Sequence, residues 1–240
     1  MTRFFFGIAA ICLSAADMTA QTSTGGLLLV ANKGDRSLGI IDPAAGRMIA
    51  NVPVHGVTGH EVVASPDGRR AFVPVFGDSG VGLPGTDGRT IAVIDVTARR
   101  LAAEIDLGRG VRPHCPLFGP RDSLLYVTTE IAHSVTVIDP ATLRVVAEIP
   151  TGAAESHMLA IAPDNHHAYT ANVGPGSVSV LDLRARKLIA VIPVAEKVQR
   201  ISISPDGRRV FTSDQRTPRL AVIDAASNRV VDWIPLPATG

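Results

Sequence analysis

The chain has 240 residues, of which 46% are hydrophobic, and its 23 Lys and Arg nearly balance its 22 Asp and Glu. This is enough apolar material for a large packed core. The balanced charge, with no run of five like charges, excludes the basic surface by which proteins bind nucleic acid or an anionic membrane.

The first 20 residues predict an export signal. Arg3 precedes an apolar run at residues 4–16, and small residues follow as far as Ala20. Signal peptides show this order, and about 13 apolar residues are fewer than the ~20 needed to span a bilayer. We therefore expect residues 1–20 to be a cleaved signal peptide, 21–240 to form the repeat domain, and the mature protein to be periplasmic or secreted with no membrane span.

Cleavage leaves Cys115 as the single cysteine of the mature chain, because Cys12 lies within the signal. One thiol cannot form an intramolecular disulfide, even in an oxidising compartment. A lone cysteine is more often a small buried residue than a reactive or metal-binding one. We therefore expect Cys115 to be buried and inert.

An apolar strand that ends in aspartate recurs along the chain with spacings of 53, 44, 43 and 42 residues. These aspartates, which we interpret as turn residues rather than catalytic acids, are Asp42, Asp95, Asp139, Asp182 and Asp224. A proline-containing turn recurs in the same register, at residues 65–68, 119–122, 162–165 and 204–207. Four strand-length runs per period and no helical periodicity predict an all-β fold, a β-propeller of four-stranded antiparallel blades.

The strand count predicts just under five blades. The repeats fall at about 27–68, 69–122, 123–165, 166–207 and 208–240. If the strand before each proline turn is innermost, the chain opens with three outer strands and continues with four complete blades. The sequence leaves three alternatives open: a shortened propeller, a small or open ring, or self-association through the unclosed edges.

The second strand of several repeats resembles the signature of the YVTN β-propeller repeat family. The matching segments are 29–32 (LVAN), 126–129 (YVTT), 169–172 (YTAN) and 211–214 (FTSD), and residues 137–152 follow that family's core pattern. The resemblance covers about residues 27–240. It implies an exported or cell-envelope propeller and leaves the activity open.

One register position marks the expected functional face. In an antiparallel meander, the loop leading into each inner strand shares a face with the loop joining the second and third strands. Six residues before each turn proline, that position holds His60, His114, His157 and Gln199. Three histidines can hold a catalytic zinc or copper ion. They can instead fix each blade through hydrogen bonds or contact a ligand directly, and these alternatives stay open.

Further candidate ligand-binding residues on this face are Arg112, Glu130 and His133. An insertion of about ten residues lies within Gly77–Arg89 on the same face, and it explains the 53-residue spacing. Extra length on a rigid scaffold is a common place for function, but a Gly-rich extension is more often only mobile. The alternative to a mobile insertion is that the insertion covers the histidines.

No set of nucleophile, base and orienting group is apparent. The leading prediction is therefore a non-enzymatic exported propeller whose loop-rich face binds a protein or a small molecule. The alternative is a metal-dependent hydrolase or oxidoreductase with His60, His114 and His157 as ligands of zinc or copper.

Overall fold

The structure is a computed structural model that describes residues 25–57 and 61–238. The expected signal peptide and His60 lie outside the described residues. Within the described ranges the regular secondary structure consists of β-strands, which form five antiparallel sheets. In that part of the chain, no helix is long and apolar enough to cross a membrane.

The five sheets follow one another along the chain. The first contains β1 (Leu28–Asn32), β2 (Ser37–Asp42) and β3 (Arg47–Pro53). The second contains β4 (Val63–Ala64), β5 (Arg70–Gly77), β6 (Asp87–Asp95) and β7 (Arg100–Asp106). The third contains β8 (Pro113–Phe118), β9 (Leu125–Thr129), β10 (Ser134–Asp139) and β11 (Arg144–Pro150). The fourth contains β12 (Ser156–Ile161), β13 (His167–Asn172), β14 (Ser177–Asp182) and β15 (Lys187–Pro193). The fifth contains β16 (Val198–Ile203), β17 (Arg209–Asp214), β18 (Arg219–Asp224) and β19 (Arg229–Pro235).

The sheets are the blades of a β-propeller, which confirms the predicted fold class. The first strands of the four complete sheets, β4, β8, β12 and β16, are the inner strands, and each of the last three lies beside the inner strand of the preceding blade. The first sheet has three strands, and within the described residues β1 pairs only with β2. The sequence repeats are offset from the blades, because each of the first four repeats supplies three outer strands and the inner strand of the next blade.

Apolar clusters between neighbouring sheets hold the blades together. Phe72 of β5 and Ile91 of β6 pack against Leu125 of β9 and Ile138 of β10, and all four are fully buried. A similar cluster joins the fourth and fifth sheets through Tyr169. Because the middle blades are covered on both faces, every residue of β9 is buried. A sheet with one solvent-exposed face would instead show alternating buried and exposed residues.

The recurring aspartates are turn residues, as predicted. Asp139 Oδ1 accepts a hydrogen bond from the Ala141 N–H at 2.8 Å, and Asp182 Oδ1 accepts one from the Ala185 N–H at 2.7 Å. These backbone donors lower the pKa of both carboxyl groups. The residue four positions after each aspartate has a positive φ, and these residues are Gly46, Arg99, Leu143, Arg186 and Asn228. The aspartates therefore fix the turn between the two outermost strands of each blade.

Candidate functional site

The inner strands of the last three blades each carry a β-bulge at the candidate position. In β8, His114 and Cys115 together oppose a single residue of β9. His157 is the extra residue of β12, and Gln199 lies in the equivalent bulge of β16. A bulge leaves one residue unpaired and re-aims its side chain. These residues are therefore strand residues aimed by the bulge, and not members of the preceding loops as predicted.

The bulges bring two of the three predicted histidines into contact. His114 and His157 are each 1% exposed, and their ring centroids lie 3.7 Å apart with the planes at 32°. Thr128 fixes both strands, because its Oγ1 accepts from the Cys115 N–H at 3.0 Å and donates to the His157 carbonyl at 2.7 Å. Side chains from two neighbouring blades thus meet near the propeller axis.

A cavity of about 210 Å³ adjoins the two imidazoles, and we call it the axial cavity. It is lined by Lys33, Phe76, His114, His157, Gln199 and residues 79–81 of the insertion. Lys33 comes from the turn between β1 and β2, so the first and last sheets both contribute. Among the described residues, none of those lining this cavity is a carboxylate. Sequence reasoning missed Lys33 and Phe76, because only packing of the blades brings them to the axis.

The insertion covers the axial cavity. Its residues 79–81 form part of the cavity wall, and Ser79 is only 8% exposed. Asp78 Oδ1 accepts a hydrogen bond from the Thr86 N–H at 2.6 Å and closes the base of the loop. The structure therefore favours the alternative in which the insertion lies over the histidines.

A buried ion pair attaches the insertion to the third blade. Arg112 is 4% exposed, and its Nε lies 2.6 Å from Asp87 Oδ1 and its Nη1 3.1 Å from Glu130 Oε1. Glu130 Oε1 also accepts a hydrogen bond from the Gly82 N–H at 3.0 Å. Burial raises the pKa of Glu130, although the Gly82 N–H and the Arg112 charge oppose the rise. The predicted candidates Arg112 and Glu130 thus hold the insertion in place.

A second cavity of about 300 Å³ lies on the other side of the insertion, and we call it the rim cavity. Its lining includes the predicted candidates Arg112, Glu130 and His133, together with Ile131, Glu155 and residues 82–84. The structure therefore divides the described candidate residues between two cavities that share the insertion as a wall.

Glu155 is a site residue that sequence reasoning missed. It precedes His157 by two positions, as Arg112 precedes His114, and both have positive φ, of 55° and 52°. Such a backbone is uncommon for residues other than glycine, but in this chain it also occurs in the outer turns, so it marks the two positions as equivalent and is not by itself a sign of a functional site. The repeat register could have identified Glu155, because Arg112 and Glu155 hold equivalent positions in the sequence.

The larger grooves lie on the opposite face and are products of the repeat. One, of about 600 Å³, lies beside Asp67, Arg69 and Asp95 of the second blade. Another, of about 500 Å³, lies beside the equivalent Arg208 and Asp224 of the fifth blade. Because equivalent turns form both, we interpret these grooves as spaces between blades and not as a dedicated site.

The predicted zinc or copper site is not supported. Within residues 25–57 and 61–238, no group of three or more His, Cys, Asp or Glu side chains is placed to hold a metal ion. His60, the third proposed ligand, lies outside those ranges. The alternative of a metal-dependent enzyme thus gains no observation in its favour.

Cys115 is 3% exposed, and burial raises the pKa of its thiol to about 12. Because the thiolate is the reactive form, we expect labelling of the folded protein by a thiol reagent to be much slower than labelling in urea. A time course of absorbance with an aromatic disulfide reagent measures this. Equal rates in the folded and unfolded protein would contradict the inert role.

The five sheets and the covered axial cavity define this chain as a β-propeller protein. Residues 119–239 match the family described as Cytochrome D1 heme domain, and the chain belongs to that family. The match includes His157 and Gln199 and begins after His114. It supports the propeller architecture and does not single out the YVTN repeat family that the strand signature resembles.

A solved structure shows the same fold. The chain is similar to hydrazine synthase of Kuenenia stuttgartiensis, with a TM-score of 0.61 and 24% identity over 73% of this chain. The match covers 48% of that chain, so the present chain spans about half its length. At this identity the likeness shows the fold alone. No curated protein sequence matches the chain.

Proposed function

We propose that this protein is an exported propeller that binds a compact anionic ligand, such as a small carboxylate or an inorganic oxyanion, in the axial cavity. The observation that carries the proposal is the lining itself. The wall contains His114, His157, Gln199 and Ser79, whose side chains all carry polar groups, Lys33 supplies a positive charge, and no described lining residue is a carboxylate. Hydrogen bonds to a charged group are the strong ones.

The size of the cavity limits the ligand. Pockets that bind drug-sized molecules are roughly 300 to 1,000 Å³, whereas the axial cavity is about 210 Å³. The insertion residues 79–81 cover it, and Phe76, which is 4% exposed, forms an apolar part of the wall. A compact anion would therefore lie in a sheltered site, where charge interactions are stronger than in bulk water.

Heme binding is the second candidate, and the family match is the observation that favours it. Two buried histidines near the axis supply the residue type that holds heme iron in many proteins. In this arrangement, however, each imidazole covers a face of the other, and the cavity is too small for a flat tetrapyrrole. The axial cavity as the structure describes it therefore does not fit a heme, and we derive no step through that group.

Titration of the purified protein with acetate, inorganic phosphate and hemin tests both candidates. We expect acetate or phosphate to bind, and His157→Ala to weaken that binding about tenfold or more, because the lost hydrogen bond is to a charged group. Isothermal titration calorimetry measures the anions, and absorbance near the Soret band measures hemin.

The matched control is His166→Ala, which removes a histidine from a turn on the opposite face. It should leave anion binding unchanged. If neither anion binds, or if His157→Ala and His166→Ala have equal effects, the compact-anion proposal is wrong. Hemin binding that is lost in both His114→Ala and His157→Ala would replace it with the heme candidate.

A further inference from the structure

We propose that the rim cavity binds a primary alkylammonium group, with Glu130 and Glu155 as its acceptors. The site is separate from the axial cavity and does not depend on the function proposed for it. The volume of the rim cavity, about 300 Å³, lies at the lower end of the range found for pockets that bind small molecules.

The first supporting observation is the local charge. Glu130 and Glu155 both line the cavity, and Asp87 is paired with the same arginine as Glu130. Arg112 is the only Lys or Arg among the described residues that line it. One guanidinium facing three carboxylates leaves an excess of negative charge, which a bound cation would neutralise.

The second observation is a buried acceptor atom. Glu130 is 2% exposed, and its Oε1 accepts from Arg112 and from the Gly82 N–H. Its Oε2 is buried and has no hydrogen-bond partner among the described residues. An unsatisfied buried acceptor costs about 1–3 kcal/mol, so a bound ammonium group that drew Oε2 toward the cavity would relieve that cost.

The third observation is the placement of Glu155. Its carboxylate lies against the backbone of Gly82 and Gly174, so that a Cβ added at either glycine would lie 2.5–2.7 Å from Glu155 Oε1. The glycines therefore leave room for this carboxylate at the cavity. Burial raises the pKa of Glu130, and the negative charge of Glu155 adds to the rise, while the Gly82 N–H and Arg112 oppose it.

The rest of the wall selects an organic cation over a metal ion. Leu83 and Ile131 line the cavity and are 60% and 45% exposed, and Pro84 lies beside them. A metal ion gains nothing from apolar surface, whereas the methylene groups of an alkylammonium would cover it. The described residues also contain no three-ligand metal group. An ammonium group has three donors, which suits two carboxylates and a polar rim.

Calorimetric titration with n-butylammonium chloride tests the proposal. We expect saturable binding to the unmodified protein, weakened at least about tenfold by Glu155→Gln, because an ammonium–carboxylate hydrogen bond is lost. n-Butanol, which has the same alkyl chain without the charge, should not bind. Glu155 is less buried than Glu130, so Glu155→Gln is expected to disturb folding less than Glu130→Gln. Glu130→Gln provides the second variant.

Glu148→Gln is the matched control, because Glu148 is a half-exposed carboxylate on β11 that pairs with Arg109. It should bind n-butylammonium as the unmodified protein does. The proposal is overturned if n-butylammonium does not bind, if Glu155→Gln and Glu148→Gln have equal affinity, or if calcium chloride binds at this site while n-butylammonium does not.

Discussion

Arg112→Met is expected to lower the free energy of unfolding by about 3–5 kcal/mol, because it leaves a buried carboxylate without its cation. Arg112 and Glu130 are 4% and 2% exposed, and their charged atoms lie 3.1 Å apart. The variant also removes the contacts of Arg112 with Asp87 and with the Gly80 carbonyl. Urea unfolding followed by circular dichroism measures the loss.

A double variant separates the buried charge from simple loss of packing. Arg112→Met combined with Glu130→Gln should be less destabilised than Arg112→Met alone, because the amide carries no charge and can still accept from the Gly82 N–H. The surface control is Arg109→Met, whose guanidinium is 59% exposed and pairs with Glu148 at 3.3 Å. It should lose no more than about 1 kcal/mol. Similar losses in Arg112→Met and Arg109→Met would contradict the role of the buried pair.

The loss in Arg112→Met should also depend on pH. Burial already raises the pKa of Glu130 in the folded protein above its ordinary value, and removal of Arg112 takes away a charge that lowers it. A carboxyl group with a raised pKa in the folded state destabilises the fold at high pH, and protonation relieves this as the pH falls. The stability difference between the variant and the unmodified protein should therefore shrink as the pH falls toward the range in which an ordinary glutamate is protonated.

Asn172→Ala is expected to cost about 3 kcal/mol, because it removes the centre of a buried polar network. The Asn172 side chain is fully buried and makes four hydrogen bonds. Its Oδ1 accepts from Ser156 and Thr170, each at 2.9 Å, and its Nδ2 donates to Ser177 at 3.1 Å and Ser179 at 2.8 Å. Because the amide of Asn172 uses all its donors and acceptors, the alanine variant leaves several hydroxyl groups with one hydrogen bond fewer.

The first blade supplies the matched control. Asn32 occupies the same signature position in β1, but it is only half-buried, and its Nδ2 makes two longer contacts, of 3.3 Å to Ser37 and 3.4 Å to Asn51. Asn32→Ala should therefore cost about 0.5–1.5 kcal/mol. Equal losses for the two asparagines in urea unfolding would show that the network around Asn172 adds nothing beyond the repeat position itself.

The two cavities share the insertion, so changes in one are expected to reach the other. Residues 79–81 line the axial cavity and residues 82–84 line the rim cavity. Between them, Arg112 contacts the Gly80 carbonyl and Glu130 accepts from the Gly82 N–H. Loss of the buried pair should therefore weaken binding in the axial cavity, in addition to its effect on stability.

The architecture can be predicted from local patterns in the chain, because each blade is a local unit. The 42–44-residue period, the turn prolines and the strand-ending aspartates depend on hydrogen bonds between residues a few positions apart, such as Asp139 with Ala141. The register also placed His114, His157 and Gln199 at equivalent positions, since every blade repeats the same path. Such local regularities can be read from one chain without knowing how the blades pack.

The site, in contrast, depends on contacts between blades. The bulges that aim His114 and His157 arise from pairing with the next strand, and Lys33 reaches the axial cavity from another blade. The contact between Gly82 and Glu130 joins residues 48 positions apart. Glu155 meets Gly82 in the same way. These contacts depend on the angle and distance between blades, which the repeat pattern does not contain, because it specifies each blade and not the side chains that meet between blades.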